Sequence, residues 1–309
     1  MEYRLNENTI ESIDENHPLR DGDILLEILT TEEYHAKEDT IPHHRVISQN
    51  LDPVKFCKAE LLEKGVVGTL LVPVKDDILH HEISLTYYLE DKHFIFIDAG
   101  HDLEHAMDAV HETPLELNSS VGFFFYELLQ SLITNDVVWL QQYEKKLIAI
   151  EEDILNSDNL PMDINRKILC IRKEVLIMST YYQQMSDMTD ALVSNDNLIF
   201  SAADCRRFEI LSARLERLHS HSVMLREYSI QLRELQQTQI EMRQNKNMSL
   251  LTVATTIFFP LSLIVGWYGM NFADMPEYNI DYAYPILIIV SLFIIIIEII
   301  YFKKKHFFD

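Results

Sequence analysis

Residues 248–270 read MSLLTVATTIFFPLSLIVGWYGM, a run without one charged side chain. At about 1.5 Å per residue, a helix of this length crosses the roughly 30 Å hydrocarbon layer of a bilayer. Residues 284–302, YPILIIVSLFIIIIEIIYF, form a second such run, with a single charge at Glu298. Only residues 271–283 separate them. Two spans joined so closely are expected to form an antiparallel helical hairpin, because in lipid each backbone must satisfy its own hydrogen bonds.

The flanks orient the hairpin. Arg243 and Lys246 precede the first span, and Lys303, Lys304 and Lys305 follow the second. The intervening loop has no Lys or Arg but three acids, Asp274, Glu277 and Asp281. The positive-inside rule places both termini in the cytoplasm and the loop outside, in a multi-pass plasma-membrane protein. The first 30 residues are acidic and hold no apolar core segment. No signal peptide is expected there, so membrane targeting falls to the C-terminal end.

Within the first span, Asn245, Met248, Thr252, Thr255, Phe259, Ser262 and Gly266 alternate in steps of three and four and share one helical face. That face is mostly small or neutral-polar. One reading is close helix–helix packing, which such residues favour in membranes. The other is a pore wall, which requires several copies around an axis. An uncharged wall suits a strongly hydrated divalent cation, because it can hold the ion through its waters without trapping it. Phe259 and Leu251 then become candidate apolar constrictions. Glu298, near the end of its span, is expected to reach the interface or pair with a lysine.

Residues 1–247 read as a soluble acidic region. The formal net charge of the chain is −23, and residues 1–120 hold 26 Asp/Glu against 9 Lys/Arg. This excludes nucleic acid as a partner. Cys57, Cys170 and Cys205 are scattered and suit reduced cytosolic thiols. Residues 65–74 and 81–99 predict strands of a small antiparallel sheet. Residues 119–155 and 162–193 predict helices, with Asn156–Pro161 as a turn and Asp163 as a cap. From Ala202 to Met270 one continuous helix would be roughly 100 Å long. Its soluble half carries a heptad seam. Leu211, Leu218, Leu225 and Leu232 hold one position, and Leu215, Ser222, Ser229 and Gln236 hold the other. Such a seam predicts lateral association in a wide oligomer. The alternative is packing within the chain, with Ser and Gln facing solvent.

The first span ends Tyr268-Gly269-Met270-Asn271-Phe272. The loop runs Ala273-Asp274-Met275-Pro276-Glu277-Tyr278, Tyr284-Pro285 opens the second span, and Lys303-Lys304-Lys305 closes it. This resembles the CorA magnesium-transporter family, which carries Gly-Met-Asn here, a Met-Pro-Glu loop and a basic tail. The similarity is close over 243–305, loose over 115–242 and poor over 1–114. It implies an α+β membrane protein with a small α/β cytoplasmic domain (1–114), a helical region and stalk (115–247), a first span (248–270), an external loop (271–283), a second span (284–302) and a basic tail (303–309). It further implies a homopentamer with an axial pore. Gly269, Met270 and Asn271 would ring the mouth and meet hydrated Mg2+, with Glu277 beside them. Asn245, Met248, Leu251 and Ser262 would lie along the pore. The sequence departs from the family at Tyr278, where Leu is common, at Phe259 for Met, and at Ser262 for Thr. The resemblance does not extend to the family's inter-subunit magnesium sensor, whose stalk region here reads Asp204-Cys205-Arg206-Arg207-Phe208-Glu209.

The resulting expectation is a transporter that is not an enzyme. It admits hydrated Mg2+, with Co2+ or Ni2+ as further cargo, down a gradient worth about 4.6 kcal/mol per divalent ion per 100 mV. No P-loop is present, and no catalytic residue or bound cofactor is assigned. Zinc transport on the same architecture is the alternative. Ten of the 13 histidines precede residue 112, and His101, His105, Asp108 and Glu112 could share a helical face. A pore-free membrane-tethered coiled-coil scaffold is the third reading.

Overall fold

The computed structural model describes residues 2–6, 9–12, 24–51, 54–98, 120–156, 163–270 and 282–304. Two compact units emerge, Met1–Arg233 and Glu234–Asp309.

The first unit opens on a mixed sheet. Its strands are β1 (Glu2–Asn6), β2 (Thr9–Ser12), β3 (Ile24–Leu29), β4 (Lys58–Leu61), β5 (Val66–Pro73), β6 (Glu82–Glu90) and β7 (His93–Asp98). Their order is β2-β1-β3-β7-β6-β5-β4. The expected antiparallel strands are present as β5, β6 and β7. The sheet is larger than expected and not wholly antiparallel, because β3 pairs parallel with β7, Leu26 opposite Phe94. All of β3 except Leu25 is buried, so it reads as a nearly continuous apolar run without the alternation of a half-exposed strand.

Two helices follow β3. In α1 (Thr31–Lys37), Thr30 and Glu33 form a capping box. The second, α2 (His44–Gln49), starts from His43 in the left-handed region, φ 57°. Tyr34, Ile41 and Ile47 from this segment join Val67, Tyr88, Ile95 and Ile97 of the sheet in one core cluster.

A second cluster is aromatic. Phe94 of β7 meets Phe124 and Phe125 of α3 (Val121–Leu132), each at 5.5 Å between ring centres. Phe125 also meets Tyr87 of β6 at 4.8 Å. The hydroxyl of Tyr87 donates to the Lys58 carbonyl at 2.9 Å, passing over Gly68, where an added Cβ would collide with both groups.

The predicted 119–155 helix is two helices, α3 and α4 (Asp136–Asn156). Thr134 caps back onto the Gln130 carbonyl at 3.0 Å, and the Asn135 carbonyl accepts from Trp139 at 3.0 Å. The Thr134 side chain closes one helix, and the Asn135 backbone carbonyl opens the next. Asp136, fully buried at that start, pairs with Lys75 from the turn after β5.

Next comes α5 (Ile164–Ser194). Asp163 stands at its N-cap but makes no side-chain cap bond, and pairs with Lys167 at 2.9 Å instead. Of the expected Asn156–Pro161 turn, residues 157–161 lie outside the described residues. Asn195 ends α5 in the left-handed region, φ 44°, and its side chain holds both the N–H and the carbonyl of Phe200. The chain thereby enters α6 (Ala202–Tyr268).

The α6 seam differs from the oligomer expectation. Leu211, Leu215, Leu218, Ser222, Leu225, Ser229 and Leu232 are all at most 3% exposed within one chain, and Gln236 is buried as well. His219 Nδ1 lies 2.9 Å from the Ser179 carbonyl of α5, Ser212 lies 3.2 Å from Ser186, and Tyr228 bonds Glu151 of α4. The seam packs on the chain's own helices. The serines are not solvated either: Ser222 and Ser229 give their protons to the carbonyls of His219 and Arg226.

The second unit holds the rest of α6 and α7 (Ala283–Lys304). Both helices are long and apolar enough to cross a membrane. The architecture is that of an α+β membrane protein, with an N-terminal α/β part and a long helix leading into the first of two apolar C-terminal helices.

Candidate functional site

On α6, Asn245, Met248, Leu251, Thr252, Thr255, Phe259, Ser262 and Gly266 are all exposed within the single chain. Phe259 is 74% exposed, and nothing lies within 4 Å of a Cβ added at Gly266. Val253, roughly on the opposite side of the helix, is 6% exposed. Exposure does not set the stripe apart, because Leu250, Phe258, Leu263, Val265 and Trp267 outside it are 62–72% exposed as well.

Its hydroxyls share one feature. Thr252 Oγ1 donates to the Met248 carbonyl at 2.8 Å. Thr255 Oγ1 lies 2.9 Å from the Leu251 carbonyl and 3.0 Å from that of Thr252. Each hydroxyl has one proton, so these oxygens face outward as acceptors only.

At the end of α6, the Gly269 N–H donates to Val265 at 2.9 Å and the Met270 N–H to Trp267 at 3.3 Å. Met270 is 43% exposed. Asn271 and Glu277, with Asp274 and Asp281, lie outside the described residues, as do Lys305, His101, His105, Asp108 and Glu112.

Sequence reasoning missed a groove. Glu298 of α7, with Thr255, Thr256, Phe259 and Pro260 of α6, lines a cavity of about 500 Å³. Glu298 Oε2 is buried without a hydrogen-bond partner, and Lys305, one of the lysines expected to reach it, lies outside the described residues. The available signal was Pro260, which has no N–H to offer the Thr256 carbonyl.

The remaining charged candidates are occupied locally. Asp204 is 2% exposed and accepts from Ser120, Ser201 and Arg207. His35, His80 and His93 each face one carboxylate, of Glu38, Asp77 and Glu27. Among the described residues, no group of three His, Cys, Asp or Glu side chains is placed to hold a metal ion.

Residues 36–304 match the family model described as CorA-like Mg2+ transporter protein. The chain belongs to this family. Among curated relatives, the cobalt/magnesium transport protein CorA of Thermotoga maritima is 23% identical over 195 residues, which cover 59% of this chain and 52% of that protein. The chain thus spans about half the length of that CorA relative. Among solved structures, the complete CorA magnesium transporter of Methanocaldococcus jannaschii superposes with a TM-score of 0.80 at 20% identity, covering 98% of each chain. The ZntB cytoplasmic domain of Vibrio parahaemolyticus gives a TM-score of 0.60 at 10% identity, covering 78% of this chain and 98% of that one. These likenesses show a shared CorA fold.

Proposed function

We propose that the chain is the subunit of a homopentameric channel that admits hydrated Mg2+, with Co2+ or Ni2+ as further cargo, into the cytoplasm across the plasma membrane. The observation that carries this is the hydroxyl geometry of the stripe. Water bound to a cation turns its oxygen to the ion and its hydrogens outward. A shell that Mg2+ releases reluctantly therefore seeks acceptors. Thr252 and Thr255 have already donated their protons to α6 and offer lone pairs only. Five such stripes around an axis would pass the ion with its waters in place.

In this reading, Gly269, Met270 and Asn271 form the mouth and Glu277 stands in the loop beside it. The soluble region divides into 1–114 and 115–247, the spans are 248–270 and 284–302, the loop 271–283 is external, and the tail 303–309 is cytoplasmic. The basic flanks of the hairpin support cytoplasmic termini. The name of the Thermotoga relative supports magnesium and cobalt as cargo. Zinc is the comparison ion because of the N-terminal histidines.

The test is flux into proteoliposomes holding the full-length protein and an ion-sensitive dye. Mg2+ should enter down an imposed potential, and Co2+ should compete. Faster entry of Zn2+ than of Mg2+ would transfer the function to zinc. No flux of any of these ions through an intact oligomer would leave the pore-free scaffold.

A further inference from the structure

The groove between α6 and α7 contains an acid that the proposed ion path does not use. Glu298 Oε2 is buried there without a hydrogen-bond partner. Facing it are Thr255, Thr256, Phe259 and Pro260, none of which carries a titratable group. Thr256 Oγ1 donates its proton to the Thr252 carbonyl at 2.8 Å, and Thr255 Oγ1 donates to Leu251 at 2.9 Å. Pro260 has no N–H for the Thr256 carbonyl four residues earlier. The polar atoms gathered in the groove are thus acceptors, with no donor among the lining side chains.

Such a set lacks one thing, a positive centre. A bare carboxylate within a membrane-spanning segment is costly and marks a functional position. Among the described lysines, none is placed to supply the charge. Lys303 and Lys304 stand five and six residues beyond Glu298, on other faces of α7, and Lys246 is ten residues before Thr256, about 15 Å along α6. A divalent ion would leave the site with a net positive charge and would need more oxygens than the groove offers. One single charge balances it.

We propose that this groove binds one monovalent cation, a proton or an alkali-metal ion, between the Glu298 carboxylate and the hydroxyl and carbonyl oxygens of Thr256. The site lies on the α7 side of the hairpin, and its occupancy ties α7 to the proline-interrupted turn of α6. Thr255 and Phe259 belong both to its lining and to the stripe, so the site adjoins the proposed passage of divalent ions without depending on their identity.

The test is labelling of the full-length protein in vesicles by a hydrophobic carbodiimide, read by mass spectrometry of the Glu298 peptide. This reagent modifies protonated carboxyls shielded from water. In buffer whose only cation is N-methylglucamine, Glu298 should be labelled several-fold more than by a water-soluble carbodiimide. Protection by sodium or potassium at constant pH identifies an alkali-metal site. Labelling that follows pH alone identifies a proton site. Thr256→Val, which keeps the shape and removes the hydroxyl oxygen, should shift the midpoint of that protection or pH curve. Absence of labelling at every pH, equal labelling by both reagents, or an unmoved midpoint in Thr256→Val would each overturn the proposal. The readout needs no transport, so a failure of the channel reading leaves it intact.

Discussion

Nε2 of His93 on β7 lies 3.1 Å from Oε2 of Glu27 on β3, at the one parallel junction of the described sheet. The hydrogen bond to His93 is the main cause holding the Glu27 carboxyl below its ordinary value of 4.5, against burial, with Lys37 adding at 3.6 Å. A carboxyl whose value is lower in the folded chain contributes stability above the ordinary value and loses it as pH falls through the folded one. Glu27→Gln should therefore cost about 1–3 kcal/mol at neutral pH. It should also flatten the acid limb of a thermal-denaturation series. An acid limb identical to the parent's would remove the pair from the linkage.

Gly68 makes a sharper test of packing. A methyl group there meets the Lys58 carbonyl and the Tyr87 hydroxyl, one of them rigid backbone. Gly68→Ala should destabilise by about 1–3 kcal/mol. Combined with Tyr87→Leu it should cost less than the sum of the two single changes, since both the hydroxyl and the ring carbon that the methyl meets are then gone. Additive losses in denaturant titration would contradict the shared contact.

The Cys57 thiol is buried and pushed up to about 12 by burial. It approaches the Leu71 carbonyl at 3.4 Å. In native protein at neutral pH it should resist maleimide and become reactive only on unfolding, whereas exposed Cys170 should react first. Equal native labelling rates would show that the β5 side of the sheet opens readily.

On the transport side, Asn271→Ala should abolish or severely reduce flux without preventing assembly. An amide can both donate to and accept from a hydrated ion, and a methyl group cannot. Thr252→Val, which removes an acceptor oxygen from the stripe, should lower flux less. Parent-like rates in both assembled variants would remove the stripe and the mouth from the mechanism.

Glu277→Gln probes the loop acids. A pentamer would carry up to fifteen of them, from Asp274, Glu277 and Asp281 of each loop. Exposed charges are screened over about 8 Å at physiological ionic strength. Uptake should therefore weaken mainly at low Mg2+, and the defect should shrink as salt is raised. A salt-independent loss of maximal rate would mean that Glu277 binds the ion or holds the loop together.

The membrane helices, the long α6 and strands β5 to β7 were legible because each carries a long, consistent period. β4 was not, since Lys58-Ala59-Glu60-Leu61 is four residues with two charges and takes its conformation from Val66–Thr69 opposite. β3 lacked alternation because both its faces are covered. The heptad of α6 announced a partner, but spacing cannot distinguish a neighbour in the same chain from one in another. At the site, the shared face from Asn245 to Gly266 follows from helical spacing alone. The direction of the threonine protons was not, because it depends on rotamers. Nor was the burial of Glu298 Oε2, which depends on how α7 rotates against α6.

The filled seam of α6 bears on how subunits of the proposed oligomer would meet. Leu211 to Leu232 are covered by α4 and α5 of the same chain, so mass action has no hold on that core. Its folding is unimolecular, and dilution would leave it intact. In the proposed oligomer, ordering entropy would be lost before subunits encounter one another, and association would begin between surfaces already ordered.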